Sequence, residues 1–353
     1  MEPRSSPGSD STWHHARGAE AQSDLKLLLK RGALLAAANW PAVAIQFVAE
    51  TTFQVLLAVP IIGAAVLVAV LVGADIGELL QGNLREIFTT VAGMLLSEPV
   101  ALVSFTTALL VGLLGGSILI FLVKGGTIEV LLAAQDAAGP IEREPITIES
   151  LQTAAQFTLP RFVNGCARLF RAYLVLGCAL IIIYALSGGA YLAFVVYGYR
   201  AAAGYVLVIG WTFVAALAAG LLIGWVTLVN FLYLLMQIAI AADGNGIAEA
   251  WRAVARFVRA EFGLLAAIFL VILAVVVGAT LASALAWSGV GLIAFVPLVG
   301  LAVFPLQIAA LVIRGLAFEY IGLAAAGAYL TLYRRAPRVA AAEPSPAATH
   351  GAL

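Results

Sequence analysis

Long runs of apolar residues, separated by short polar stretches, recur along the whole of this 353-residue chain. Several runs exceed about 18 residues with few or no charges, which is long enough for a helix to cross a hydrocarbon core of about 30 Å. The pattern predicts six transmembrane helices, at about 52–72, 99–123, 173–195, 205–240, 264–285 and a last one ending at Tyr333.

An amphipathic stretch precedes each pair of apolar runs, and the dipeptide Phe-Val recurs in all three stretches, at Phe47, Phe162 and Phe257. The chain is therefore predicted to use one unit three times. The expected fold is an all-α integral membrane protein with six transmembrane helices as three hairpins, each preceded by a cytoplasmic amphipathic helix. These amphipathic helices are predicted at about 24–50, 148–171 and 247–262, and Pro160 favours two short pieces over one helix in the second.

The predicted domain organisation is a six-helix membrane domain between two tails. A disordered cytoplasmic tail is expected at 1–23, because this stretch is polar and lacks the apolar core of a signal peptide. A second disordered cytoplasmic tail is expected at 336–353. The membrane domain spans 24–335, and its repeats cover about 24–136, 148–243 and 247–335.

Two of the helices that return through the membrane have the same predicted length. Pro99–Gln135 and Tyr205–Ala241 each contain 37 residues, which as a continuous helix measures about 55 Å. Because the hydrocarbon core is about 30 Å thick, three alternatives remain. The helices tilt strongly, break (at Gly125-Gly126 in the first), or project into the cytoplasm.

One apolar segment does not fit the six-span pattern. Residues 290–313 carry no charge over 24 positions, but Pro297 and Pro305 each remove a helical hydrogen bond. The first half is predicted to be an interfacial or re-entrant segment leading into the last span, and a further span is the alternative.

Composition and charge placement narrow the class. The chain is 63% hydrophobic and 11% charged with a net charge of zero, which excludes an ordinary soluble domain and gives no reason to expect a nucleic-acid partner. Apart from Arg314, only Arg85 and Arg200 fall outside the predicted cytoplasmic segments. The positive-inside rule therefore predicts that both termini are cytoplasmic.

Motifs for catalysis are not found in the sequence. The three histidines, His14, His15 and His350, lie in the predicted tails, and no metalloprotease, serine-hydrolase or phosphate-loop motif occurs. We therefore expect no enzyme activity, no cofactor and no metal site. The two cysteines, Cys166 and Cys178, are expected to be free thiols.

Polar residues at membrane depth are the first candidates for a site. Arg314 and Glu319 are five residues apart, so on one helix they point about 140° from each other. Each is expected to face a different partner, with Arg314 near the outer boundary. Glu319 either makes a buried hydrogen bond or binds a proton or cation in an internal cavity. Asn230 and Gln237 share a helix face and are expected to hydrogen-bond between helices.

Two further patterns concern the membrane environment. In the third amphipathic helix, a basic stripe of Arg252, Arg256 and Arg259 lies beside an apolar stripe of Trp251, Val254 and Val258. The basic stripe is a candidate for anionic lipid headgroups, although packing of the apolar stripe on neighbouring spans would give the same pattern. Small residues also recur every four positions, which predicts close helix packing there: Ala216, Gly220 and Gly224, then Gly278, Ala282 and Ala286.

Three short motifs resemble a group of poorly characterised bacterial six-span membrane proteins. They are Lys124-Gly-Gly-Thr-Ile-Glu-Val, Gly246-Ile-Ala-Glu-Ala-Trp-Arg-Ala-Val-Ala-Arg and Ala-Tyr329-Leu-Thr-Leu-Tyr333-Arg-Arg. The group includes the membrane domain attached to some glycerophosphodiester phosphodiesterases. The resemblance covers about 25–335 and implies a six-helix membrane protein without assigned catalytic residues, so phosphodiesterase activity is not carried over.

The sequence therefore predicts a multi-pass protein of the bacterial cytoplasmic (inner) membrane without enzyme activity. Its expected role is that of a scaffold, an assembly partner or a lipid-associated factor. Its expected partners are membrane lipids, anionic ones included, and a second copy or other membrane proteins. The alternative is a transporter or channel for a small solute or ion, with a site near Arg314 and Glu319.

Overall fold

Nine helices and no strand make up the part of the chain that the computed structural model describes, which is residues 10–72, 97, 99–143, 145–202, 205–294 and 299–336. The helices are α1 (Asp10–Ala38), α2 (Trp40–Val72), α3 (Pro99–Ala137), α4 (Ile148–Ala154), α5 (Leu159–Ala201), α6 (Tyr205–Asp243), α7 (Ile247–Ala260), α8 (Phe262–Ala294) and α9 (Val299–Arg335). The all-α prediction is confirmed. Helix α1 begins inside the stretch that was expected to be a disordered tail.

Six of these helices are long and apolar enough to cross a membrane, as predicted. Their candidate spans are Trp40–Gly63, Leu102–Ala137, Leu159–Ala201, Leu207–Asp243, Phe262–Ser288 and Pro305–Arg335. Large apolar side chains on them face outward, with exposed fractions of 78% for Val100, 75% for Phe213 and 73% for Leu285. Such surfaces are stable only against lipid. The protein is therefore a multi-pass membrane protein.

The spans pair as three hairpins, which confirms the predicted arrangement. Helix α2 packs on α3, α5 on α6, and α8 on α9. The most extensive contact of all joins neighbouring hairpins, between α3 and α5. The three helices that end each hairpin, α3, α6 and α9, also contact one another and so occupy the centre of the bundle. We call them the returning helices.

Buried side chains gather at one end of the bundle, which we call the packed end. It comprises α1, α4, α7, the C-terminal parts of the returning helices and the first turns of α5 and α8. Its fully buried large side chains include Leu28, Leu35, Leu131, Tyr173, Leu235, Ile238, Leu265, Ile268, Leu323 and Leu330. The rest of the bundle exposes its apolar side chains.

The packed end accounts for the unusual length of the returning helices. Helices α3 and α6 contain 39 residues each, or about 58 Å. Neither is interrupted, and α3 continues through Gly125-Gly126, so the predicted break there is wrong. Because their last turns are buried among protein side chains, projection beyond the hydrocarbon explains their length better than tilt does.

The first amphipathic segment was predicted as one helix over 24–50, which is wrong. Helix α1 ends at Ala38 and α2 begins at Trp40, because Pro41 has no N–H with which to extend α1. The fully buried Asn39 side chain holds the break. Its amide nitrogen donates to the carbonyls of Leu35 (2.9 Å) and Ala154 (3.0 Å), and its oxygen accepts from the Gln156 N–H at 2.9 Å.

The other two amphipathic segments agree better with the prediction. The second forms two pieces, α4 and the start of α5, where the Thr158 side chain caps the helix and Pro160 lies in the first turn. The third is α7, which ends at Ala260.

No separate re-entrant or interfacial element is found in the described part of 290–313. Residues 290–294 end α8 and 299–313 begin α9, with Pro305 inside the helix. Pro297 lies outside the described residues.

The returning helices are joined at their C-terminal ends. In the last turn of α9, Tyr333 Oη donates to Asp243 Oδ2 of α6 at 2.6 Å. The neighbouring Arg334 pairs with Asp136 of α3, at 3.3 Å. Thr331 adds a hydrogen bond from its hydroxyl to Gln135 Oε1 of α3 at 3.0 Å. These contacts fix the three helices relative to one another at the packed end.

Buried Arg31 of α1 terminates α3. Its Nη1 donates to the Gly139 carbonyl at 2.8 Å and its Nη2 to the Ala138 carbonyl at 3.1 Å, just beyond the end of the helix at Ala137. Its Nη2 also reaches the Gln135 carbonyl, at 3.5 Å, in the last turn, where a helix leaves carbonyls free. The same guanidinium forms a 2.6 Å ion pair with Glu142. Glu142 also pairs with Arg335 of α9, at 3.4 Å. A single arginine therefore joins α1, the end of α3 and the following loop.

The pKa of Glu142 reflects this arrangement. Burial favours the neutral acid, but hydrogen bonds from its own backbone and from Arg31, together with the charges of Arg31 and Arg335, outweigh burial. The pKa of the Glu142 carboxyl is therefore held below its ordinary value. A depressed pKa in the folded state means that this carboxylate stabilises the fold above its ordinary pKa. That stabilisation is lost as pH falls through the lower, folded-state pKa.

Helix α1 lies unusually close to α9. A Cβ atom added at Gly32 would overlap the Ala324 carbonyl oxygen and lie 2.6 Å from the Ala328 nitrogen. Both are rigid backbone atoms. The predicted packing stripes of α6 and α8 behave differently, because a Cβ at Gly220, Gly224 or Gly278 would meet nothing within 4 Å. The prediction of close helix packing is therefore wrong at these three positions, within the described residues.

We expect Gly32→Ala to lower the free energy of unfolding by about 1–3 kcal/mol, since overpacking displaces α1 from α9. Gly115→Ala on α3 is the matched control, because a Cβ there meets nothing within 4 Å and alanine favours a helix. The measurement is the thermal unfolding midpoint in detergent by circular dichroism. Equal midpoints for the two variants would contradict the close contact.

We expect Glu142→Gln to cost roughly 1.5–3 kcal/mol at neutral pH, because the charged hydrogen bonds to Arg31 and Arg335 are lost. The difference from the wild type should shrink as pH falls through the depressed pKa of the folded Glu142 carboxyl, where the wild-type carboxylate is also protonated. Unfolding midpoints across pH measure this, with the exposed Asp24→Asn as control. A difference that persists undiminished in acid would show that the ion pair is not its source.

Candidate functional site

The structure separates the two residues predicted to form a site in the last helix. Arg314 is exposed, with its guanidinium 5.6 Å from the Phe318 ring. It lines a small cavity of about 110 Å³ between α8 and α9, together with Ser283 and Gln307. Glu319 is half-buried and faces α2, where it accepts a hydrogen bond from the Gln46 side chain. Each faces a different partner, as expected, so together they form no site.

A larger cavity of about 210 Å³ lies between the three returning helices, with Gln46 of α2 at its edge. We call it the central cavity. Helix α3 contributes Lys124, Thr127 and Ile128 to its wall. Helix α6 contributes Asn230, Tyr233, Leu234 and Gln237, and α9 contributes Gly322, Leu323 and Ala326.

These residues follow the same spacing on each helix. On α6 the lining positions are i, i+3, i+4 and i+7, starting from Asn230, and this spacing forms one stripe along a helix. Lys124 begins the same pattern on α3. On α9 the three lining residues occupy the later positions of a stripe whose first position is Glu319. The three repeats therefore place Lys124, Asn230 and Glu319 at equivalent positions.

Charges of both signs surround the central cavity. The half-buried Lys124 ammonium lies 5.6 Å from the Tyr233 ring centroid, a cation–π contact. The carboxylates of Glu319 and Glu50 are near enough for their charges to act on this ammonium. Lys124, Glu319 and Glu50 therefore lie in one region.

Two polar groups of the cavity wall are buried without a hydrogen-bond partner among the described residues. They are Tyr233 Oη and Gln237 Nε2, on residues that are 7% and 1% exposed. Leaving such a group unpaired costs about 1–3 kcal/mol. Since buried polar groups in folded proteins are nearly always paired, these two atoms are the candidate hydrogen-bonding groups of the cavity wall.

The predicted interhelical hydrogen bonds are found at one of two positions. Asn230 Oδ1 accepts from the Tyr184 hydroxyl of α5, as expected. The side-chain nitrogen of Gln237 has no partner, and it is instead the Gln237 backbone carbonyl that accepts from Tyr173, at 2.8 Å. The prediction fails for the Gln237 amide nitrogen because α5 reaches the backbone of α6 at this level and not the side chain.

The basic stripe of α7 is at the surface. Arg252, Arg256 and Arg259 are all exposed, and Arg256 Nε donates to the Arg252 carbonyl at 3.4 Å. The helix buries Val254, as predicted, together with Ala250 and Phe257, and Val258 packs half-buried against the core. Trp251 is exposed, because the Phe257 ring packs edge-on against Tyr333 and this rotates Trp251 outward.

Sequence analysis missed Lys124, Tyr233 and Gln46 as parts of a site. Lys124 was counted only among the charges that set orientation. The detectable signal was its position: Lys124 in α3 and Asn230 in α6 are each the first charged or amide residue after 25 helical positions. In the described parts of the chain, no three His, Cys, Asp or Glu side chains converge to hold a metal.

The fold and the cavity together define the class of this protein, a multi-pass membrane protein built from three hairpins around a polar cavity. Comparisons with protein-family models, curated proteins and solved structures find no match to this chain.

Proposed function

We propose that this is a transporter or channel of the bacterial cytoplasmic membrane, with both termini cytoplasmic, and that a small polar solute binds in the central cavity. The observation that carries the proposal is the pair of buried, unpartnered polar atoms, Tyr233 Oη and Gln237 Nε2, in the cavity wall. A solute that hydrogen-bonds to both would recover the cost of burying them.

The level of the cavity in the bundle supports this proposal. The 25 helical residues before Lys124 in α3 and before Asn230 in α6 measure about 37 Å, enough for a hydrocarbon core of about 30 Å. The central cavity then lies at the membrane boundary on the side of the packed end. Lys30, Arg168 and Arg334 lie at the packed end, and the positive-inside rule favours the cytoplasm for a basic end of this kind.

The repeat supports it too. Transporter sites are commonly formed where structural repeats meet, and each returning helix contributes the same stripe to the central cavity. The resemblance to bacterial six-span membrane proteins is compatible with this class.

A panel of small amino acids, carboxylates, amines and sugars, tested with the protein in lipid nanodiscs, examines the proposal. We expect at least one class to raise the thermal unfolding midpoint. Gln237→Leu should weaken its binding about tenfold or more, since a hydrogen bond to a buried group is lost. Gln54→Leu on the exposed surface of α2 is the matched control.

Two results would contradict solute binding in the central cavity. The first is a panel in which no solute shifts the midpoint. The second is a solute whose affinity is the same in the Gln237→Leu variant and in the wild type. Flux of a bound solute in reconstituted vesicles then separates a transporter or channel from a receptor.

A second candidate function, a lipid-associated scaffold or assembly factor, is favoured by the exposed arginines of α7. Arg252, Arg256 and Arg259 lie on one surface next to the exposed Trp251. Arginines beside an exposed tryptophan suit the headgroup region of a membrane. A second copy of the chain or another membrane protein is the alternative partner of the same surface.

Changing all three arginines to glutamine should leave several-fold less anionic lipid on the protein purified in mild detergent, since each cation near the surface contributes about 1 kcal/mol. A triple change of exposed arginines elsewhere, Arg143, Arg171 and Arg200, removes the same charge and serves as control. Lipid analysis by mass spectrometry is the measurement. Equal retention in both triple variants would argue against a specific role for α7.

A further inference from the structure

Arg314 carries its charge within the membrane. Residues 299–322 of α9 precede the packed end, which begins on this helix at the buried Leu323. These 24 residues measure about 36 Å, little more than a hydrocarbon core of about 30 Å. Arg314 lies about 22 Å from one end of this segment and about 13 Å from the other, so it is inside the core wherever the core is placed. Counting from Tyr333 predicted a place near the outer boundary, but Tyr333 is buried in the packed end.

The Arg314 side chain faces the outside of the bundle without a charged partner. It is exposed and lines the small cavity between α8 and α9. Its guanidinium lies near the Phe318 ring of its own helix, and it makes no hydrogen bond or ion pair with any described residue. A basic side chain near a helix end extends to the headgroups, but Arg314 is far from both ends of the membrane segment. Ionisable residues at such depth almost always pair with another group.

Two further polar side chains line the same small cavity, Ser283 of α8 and Gln307 of α9. Both are half-buried and make no hydrogen bond to a described residue. Thr280, by contrast, donates to the Val276 carbonyl of its own helix at 2.8 Å, which is how a hydroxyl in an apolar helix is usually satisfied. The hydroxyl, the amide and the guanidinium all offer donors, so the group that fits them is an anionic acceptor from outside the described chain.

Small residues form the adjoining surface. Ala286 and Ala310 line the small cavity, and Ala286 continues a stripe with Gly278 and Ala282. All three stripe residues are exposed, and a Cβ at Gly278 would meet nothing within 4 Å. The stripe is therefore not used for packing among the described residues. Since small residues allow the backbones of two membrane helices to approach closely, this surface has room for a further helix beside Arg314.

The depth of Arg314 decides which anion fits. Lipid phosphates lie in the headgroup region, outside the hydrocarbon core. A second copy of the chain offers no exposed carboxylate at this depth among its described spans: Asp136 and Asp243 are exposed but lie at the packed end, and Glu50, Glu129 and Glu319 are half-buried. An aspartate or glutamate at the middle of another protein's transmembrane helix is at the right depth, and arginine binds a carboxylate through two parallel hydrogen bonds.

We propose that the small cavity between α8 and α9 binds a transmembrane helix of another membrane protein, and that Arg314 forms an ion pair with a carboxylate at the middle of that helix. Ser283 and Gln307 supply further hydrogen bonds, and the small stripe of α8 lets the two backbones approach. This surface is separate from the central cavity, so the inference goes beyond the proposed function and does not depend on it.

Energy transfer between the fluorescently labelled full-length protein and labelled synthetic peptides in lipid vesicles tests the inference. The peptides are transmembrane helices of about 23 leucine and alanine residues, with aspartate, asparagine or leucine at the central position. We expect the aspartate peptide to bind about tenfold tighter than the leucine peptide, with the asparagine peptide between them, because only aspartate forms an ion pair with Arg314.

Two variants separate the ion pair from the packing. Arg314→Gln should weaken binding of the aspartate peptide about tenfold and leave the leucine peptide unchanged. Gly278→Leu should weaken both peptides, because it fills the small stripe without removing the charge, and it is expected to fold since a Cβ there meets no neighbour. Arg200→Gln, at an exposed arginine of α5, removes the same charge elsewhere and is the control.

Three results would overturn the inference. The first is an aspartate peptide that binds no tighter than the leucine peptide, or equally well to the Arg314→Gln variant. The second is energy transfer between copies of the protein itself that Arg314→Gln abolishes, which would make the partner a second copy. The third is oleate binding that depends on Arg314 while no peptide binds, which would make the site one for a lipid. Solute binding in the central cavity is measured separately and is unaffected by any of these results.

Discussion

The bonded C-terminal ends of the three returning helices hold this protein together. Within lipid, helices gain no hydrophobic stabilisation from meeting one another, and the described spans expose much of their apolar surface. The packed end has water as its alternative environment, so burial of its apolar side chains does stabilise it. Three polar contacts then fix one alignment of the helices in that core. They are Tyr333 with Asp243, Arg334 with Asp136, and Arg31 at the end of α3. Without these contacts, little would hold the three hairpins around one centre.

This arrangement also explains why a polar cavity persists beside the apolar spans. The returning helices are pinned only about 9 Å, or six residues, beyond Gln237 on α6. On α9, Gly322 leaves open space, because a Cβ there would meet nothing within 4 Å among the described residues. The unpaired polar groups of Tyr233 and Gln237 cost free energy, and the packing of the packed end offsets that cost. The same packing prevents the helices from closing over the cavity.

The spans, the hairpins and α7 could be predicted because they depend on local composition and period. The break before Pro41 had a local signal in that proline, but the hydrogen bonds that Asn39 makes there to Ala154 and Gln156, more than a hundred residues away, had none. The role of Arg31 could not be predicted either, because the sequence alone does not distinguish an arginine at the membrane surface from one that binds the end of another helix. Close packing was predicted on α6 and α8 from small residues every four positions. It occurs instead at Gly32 of α1, whose partners Ala324 and Ala328 lie on α9, far along the chain.

Repetition and divergence make different contributions to the central cavity. Three copies of one stripe, i, i+3, i+4 and i+7, give the cavity its shape, and that shape follows from helix geometry alone. The chemistry comes from the positions where the copies differ, because Lys124, Asn230 and Glu319 stand at equivalent places as a cation, an amide and a carboxylate. Three identical residues at one level would repel one another if charged. Three different ones make the three returning helices chemically unlike at this level.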